Sequence, residues 1–113
     1  MAQARTMYWK EIPAQVQAVD ETGQVSQLLD DRFQHGIDAI SILDGSTSSE
    51  DYLTGWQWGD YTEVLGTASD VAMELARHFN EGFPQDFVTR IRNDHKAGKR
   101  DPTPGSLDHW IHD

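Results

Sequence analysis

Within the first forty residues the spacing of apolar side chains changes from every second position to every third or fourth. That switch commits the chain to paired strands followed by a long amphipathic helix. Residues 6–12, Thr-Met-Tyr-Trp-Lys-Glu-Ile, are rich in aromatic and β-branched types and read as a strand. Pro13 interrupts them, since proline lacks a ladder donor. From residue 14 to 19, Ala14, Val16 and Ala18 alternate with Gln15 and Gln17, the pattern of a half-buried strand. A hairpin is expected around Ile12, Pro13 and Ala14; no tight two-residue turn signal is present, which favours a bulged connection.

After a turn at residues 20–23, Val25, Leu28, Leu29, Phe33, Ile37 and Ile40 form one helical stripe. Gly36 lies beside the stripe and suggests close approach by another element. Asp44-Gly45 ends the helix, with glycine as the left-handed cap. Ser48 is placed to cap a short helical turn with Glu50 and Asp51 at its start. Residues 55–65 read as a third strand, with Gly59 as a candidate bulge. Thr67 begins a second long helix whose stripe is Ala68, Val71, Ala72, Leu75, Ala76 and Phe79. Gly82 and Pro84 break it, and Phe83, Phe87, Val88 and Ile91 support a third helix with Pro84 in its first turn.

The expected fold is therefore α+β: a three-stranded antiparallel sheet in ββ-α-β-α order, helices packed on one face, with a C-terminal helix added. Residues 1–97 form a single domain, and 98–113 read as a flexible C-terminal tail from their Lys, Arg, Asp, Pro and Gly content. A sheet of this kind leaves an edge open, where a partner or a second copy could pair as a homo-oligomer.

With 113 residues and a net charge of −10, the chain is one domain with a strongly acidic surface. Residues 20–70 carry eleven acids and the single base Arg32; residues 90–100 carry five bases. Such a chain repels nucleic acid and anionic membrane and favours a protein partner with a basic surface, although acidity also serves simple solubility. Cysteine is absent, so no disulfide or thiolate site exists. No stretch has signal-peptide character, and the cytoplasm is the expected location.

No phosphate loop, nucleophile elbow or zinc-binding helix motif occurs. No cofactor is expected, and no catalytic residue can be named. Asp31, His35 and Asp38 share one side of the first helix and could hold a divalent ion, although a solvated helix face has the same pattern. His109 and His112, flanked by Asp108 and Asp113, have spacing that suits a transition metal or an inert tail. The basic run Arg90, Arg92, His95, Lys96, Lys99 and Arg100 lacks interleaved aromatics, which argues against RNA binding. Trp9, Trp56, Trp58 and Tyr61 are the main partner-binding candidates. Trp56 and Trp58 point to one strand face; covered by helices they are core, and uncovered they form an aromatic interaction patch.

Four segments carry a resemblance: residues 8–18 with Trp9-Lys10-Glu11-Ile12-Pro13-Ala14, residues 29–38 with Arg32-Phe33-Gln34 and Ile37-Asp38, residues 51–56, and Gly66-Thr67-Ala68. Together they resemble the small bacterial virulence factor family, and also the C-terminal domain of the larger conserved virulence factor C proteins. The resemblance covers residues 6–83 and leaves 84–97 as an added helix; Ser41-Ile42-Leu43 departs from the usual Ala-Met. It implies an accessory role beside corrinoid- and folate-linked one-carbon enzymes, and no particular chemistry. Three readings follow: a non-catalytic interaction domain acting with a larger enzyme, a small metal-dependent or small-molecule-binding enzyme, and an acidic mimic of nucleic acid. The first needs no chemistry that the residues do not display.

Overall fold

The computed structural model describes residues 1–111. It is an α+β fold with five strands, not three. Strands β1 (Ala2–Trp9), β2 (Ile12–Asp20) and β3 (Gly23–Leu28) form an antiparallel meander. Helices α1 (Asp31–Leu43) and α2 (Ser49–Thr54) follow, then short strands β4 (Trp56–Trp58) and β5 (Thr62–Val64). Both short strands pair with β1 on the side away from β2, giving the order β3-β2-β1-β4 with β5 also on β1. Helices α3 (Ala68–Gly82) and α4 (Phe87–Lys96) and a 3-10 turn (Asp108–Trp110) complete the chain.

Two strands were hidden in the pattern for identifiable reasons. Val25 and Leu28 match a helical stripe, yet they belong to β3, and α1 begins only at Asp31. Only Val25 of β3 is even half-buried, so its alternation leaves almost no hydrophobic trace. Residues 55–65 split because the chain leaves the ladder at Gly59, whose amide donates to the Thr6 carbonyl at 2.8 Å, and rejoins β1 at Thr62. Gly59 thus marks a break between strands.

The first hairpin turns at Lys10-Glu11, not at Ile12-Pro13-Ala14. Lys10 adopts φ 52°, a left-handed conformation at the first turn position, as a type II′ hairpin requires. Pro13 sits inside β2, where the register slips: Met7 faces Gln15, but Tyr8 faces Pro13. The resulting bulge accommodates a residue without an N–H, and the skipped Ala14 carbonyl accepts from the Leu29 amide at 3.1 Å.

Other local signals are realised. Thr67 and Ser48 cap α3 and α2, accepting from the amides of Asp70 and Asp51. Gly45 follows α1 with φ 79°. A Cβ at Gly36 would lie 2.5 Å from the Phe87 ring, which is the close approach that glycine suggested. Pro84 does not open α4; it precedes the helix, and its carbonyl accepts from Arg32 Nη1 at 3.1 Å.

α3 packs across β1, β2 and β3, and α1 packs on β2 and α4. Phe33, Phe83 and Phe87 meet pairwise with ring centroids 5.4 Å apart, joining α1, the end of α3 and α4. Residues 98–111, read from composition as a tail, lie against this domain. Arg100 bonds both oxygens of the fully buried Glu11, at 2.6 and 2.8 Å, and Asp44 at 2.9 Å. Lys10 Nζ completes the cluster, 2.7 Å from Asp44 and 2.5 Å from Ser46 Oγ. Leu107 is buried in the same core.

Three outcomes follow from this packing. Arg100→Ala leaves Glu11 buried without a countercharge and should lower stability by about 3–5 kcal/mol in urea unfolding. Gly36→Ala should cost about 1–3 kcal/mol through overpacking against Phe87. Asp44 is desolvated by burial, but bonds from Lys10, Ser46 and Arg100 outweigh that and hold its pKa at about 2, below the usual 3.8. Its stabilisation is complete above pH 3.8 and is lost as pH falls toward 2. Asp44→Asn should therefore flatten the stability profile in that window, measured by unfolding at successive pH values.

Candidate functional site

Helix α3 and the β1–β5 margin of the sheet leave a two-lobed cleft between them. Its outer lobe, about 620 Å³, is lined by Val64, Leu65, Val71, Met73 and Leu75, with Asp70 and Glu74 at its rim. The inner lobe, about 450 Å³, is lined by Thr6, Tyr8, Asp60, Phe79, Asp108 and Ile111. Ala4, Thr62, Leu75 and His78 border both lobes.

The cleft exists because β5 is short and stands on β1 beyond the reach of β4, while α3 lies across the other strands. Three of the chain's large exposed apolar side chains gather at the outer lobe: Leu65 is 84% exposed, Met73 64% and Val64 38%. Apolar side chains grouped beside a concave surface indicate a binding site more than a scattered exposed leucine does. Around them Glu74 and Glu81 are paired with Arg77 through contacts along α3.

In the inner lobe the Tyr8 hydroxyl donates to Asp108 Oδ2 at 2.8 Å. Burial, then the Asp108 charge, drives the Tyr8 pKa far upward, so the phenol stays protonated and remains a donor. Burial also raises the Asp108 carboxyl, opposed by the bond from Tyr8 and by the charges of His78 and His109. Asp108 Oδ1 is buried and has no hydrogen-bond partner among the described residues, which works in the same direction.

The four aromatic residues singled out in the sequence do not form one patch. Trp9 is fully buried and donates from Nε1 to the Tyr52 carbonyl at 2.8 Å. Trp56 is half-buried and meets Tyr52 edge-on at 6.1 Å. Trp58 and Tyr61 share Arg5, whose guanidinium lies 3.9 Å from one ring centroid and 4.5 Å from the other. Gln17 ties this group together, accepting from Arg5 Nε at 2.8 Å and from the Tyr61 hydroxyl at 3.0 Å. Arg5 pairs with Gln17 and alternates along β1 with the buried Ala4 and Thr6, so the group stands on the sheet face away from α3, and Arg5 also borders the inner lobe.

Among the described residues no group of three His, Asp or Glu side chains could hold a metal ion. Asp31, His35 and Asp38 remain on the exposed side of α1, where Asp38 accepts from Gln34. His109 is exposed, and His112 lies outside the described residues. No helix among the described residues is long and apolar enough to cross a membrane. No pattern in the sequence announces the cleft. Met73, Leu65 and His78 fall outside the expected apolar stripes, and an exposed Leu or Met beyond a stripe was the available signal.

The Trp9–Ala14 turn, the caps at Ser48 and Thr67 and the packing of α1 on α4 all fall within residues 7–91, the range matched by the virulence factor family. The chain belongs to that family. The match reaches into α4, so at least half of that helix is part of the family domain. No curated protein and no solved structure matches the chain.

Removing the Tyr8 hydroxyl takes away a bond that lowers the Asp108 pKa. Tyr8→Phe should therefore raise that pKa further, as read from side-chain carboxyl shifts in an NMR titration. An unchanged or lower value would contradict this account of the inner lobe.

Proposed function

We propose that this virulence factor domain is a non-catalytic interaction module, a small subunit that acts beside a larger enzyme. One observation carries the reading: Val64, Leu65 and Met73 stand exposed together along an unshielded margin of the sheet. Exposed apolar anchors with a polar rim are what a protein interface needs at its centre. The chain's acidity supports a partner whose contact surface is basic around an apolar centre. Trp58 and Tyr61, gathered around Arg5 on the opposite face of the sheet, offer a second, aromatic surface. Trp9 and Trp56 pack against Tyr52, apart from both surfaces. A corrinoid- or folate-linked one-carbon enzyme system is the partner suggested by the family resemblance.

A second reading rests on the inner lobe. Tyr8, His78 and Asp108 converge where burial perturbs two of them, an arrangement suited to a small ligand or a small enzyme's substrate.

The Leu65→Ser/Met73→Ser double variant distinguishes the two. Both side chains are exposed, so the variant should unfold at the wild-type urea midpoint. Affinity purification from the native host with mass spectrometry should recover a stoichiometric partner with wild-type protein. The variant should bind that partner at least ~10-fold more weakly, about 1.4 kcal/mol. Equal recovery by both proteins would remove the interaction reading at this cleft.

A further inference from the structure

The opposite margin of the sheet is formed by β3, hydrogen-bonded to β2 alone. The Leu29 amide donates to the Ala14 carbonyl, which fixes the phase of the ladder: Val25 and Gln27 are bonded to Ala18 and Val16. The amides and carbonyls of Gln24, Ser26 and Leu28 therefore point away from the sheet. Edges of this kind are normally guarded by charge, proline, a bulge or brevity. β3 has none of these guards: its six residues, Gly-Gln-Val-Ser-Gln-Leu, are uncharged and pair with β2 without a register shift.

Charge lies instead at the two ends. Asp20 and Glu21 precede the strand, and Asp30 and Asp31 follow it. Arg32 offsets Asp30 in part, but its guanidinium is committed to the carbonyls of Asn80, Phe83 and Pro84. Antiparallel pairing with a second copy would set Glu21 of each chain beside the acids after β3 of the other. That juxtaposition disfavours self-association. An extended segment with bases at both ends meets the reverse situation.

We propose that the β3 edge receives an extended protein segment about as long as β3, with Lys or Arg at each end, which adds a strand to the sheet. Backbone bonds to Gln24, Ser26 and Leu28 hold it, and the acidic brackets select it. Leu28, 70% exposed, offers an apolar contact to one of its alternate side chains. This surface is independent of the cleft between α3 and β5, so either reading can fail without the other.

A synthetic peptide with an alternating Val-Thr core of six residues and two lysines at each end tests the proposal, against the same core with paired glutamates. In NMR hydrogen exchange at low salt, the lysine peptide should slow exchange at Gln24, Ser26 and Leu28, while Val25 and Gln27 change little. Glutamate ends, or Glu21→Lys/Asp31→Lys in the protein, should weaken binding roughly tenfold or more. Ser26→Pro removes one outward donor and should abolish binding; should that variant misfold, a peptide N-methylated on its bonding edge replaces it. Equal binding of the two peptides, or protection confined to the residues around Leu65, overturns the proposal. Concentration-dependent protection of the same amides without peptide also overturns it, by assigning the edge to a second copy.

Discussion

The fully buried carboxylate of Glu11 is the constraint from which much of the tertiary arrangement follows. An ionised carboxylate in a core is tolerable only if it is paired and hydrogen-bonded, and Arg100 meets both oxygens of Glu11 with a planar fork. Arg100 also reaches Asp44, which Lys10 shares, so two acids and two bases neutralise one another. This cluster draws together the first hairpin turn, the end of α1 and the C-terminal segment. The Lys10 amide adds the end of α2 by donating to the Gly55 carbonyl. Once Arg100 is docked, Leu107 enters the core and Asp108 comes within reach of Tyr8. The segment from Trp9 to Ala14, which lies within the family match, is this turn and its bulge. Its residues have structural roles: a left-handed turn at Lys10, a buried acid at Glu11 and a proline at a register slip.

That anchoring also shapes the surfaces. With residues 98–111 laid against β1, the inner lobe of the cleft acquires its floor from Asp108 and Ile111. On the far face, Arg5 is immobilised between Trp58, Tyr61 and Gln17, which turns an aromatic pair into a rigid cation–aromatic unit. The two margins of the sheet differ in character. The β5 side is apolar and concave, and the β3 side is uncharged and bracketed by acids. A domain of 113 residues thus presents two chemically distinct faces to its surroundings.

Periodicity revealed the helices better than the strands. α3 follows its stripe and its threonine cap, because a helix built mostly from local contacts carries its own signal. β3 shares the apolar spacing of the following helix, because an edge strand exposed on nearly all sides has no hydrophobic alternation to display. The sequence points to Pro13 and not to the turn at Lys10-Glu11, because proline is a strong local punctuator. Here the bulge accommodates it inside a strand, while a lysine takes the conformation usually given to glycine. The candidate site was less legible still. Trp9 and Trp58 are close in type and predicted setting, yet one is core and the other lies under Arg5.

The sequence by itself determined the α+β class, the caps of α2 and α3, the C-terminal end of α1, the close contact at Gly36 and the family. Each of these depends on residues near one another in the chain or on the size of one side chain. Only the tertiary structure decided the number of strands, the burial of Glu11 against a residue 89 positions away, and the gathering of Leu65 and Met73 at one cleft. Those outcomes depend on which distant segments share a surface. Burial of charge and pairing of edges act across space, so no local pattern of residues announces them.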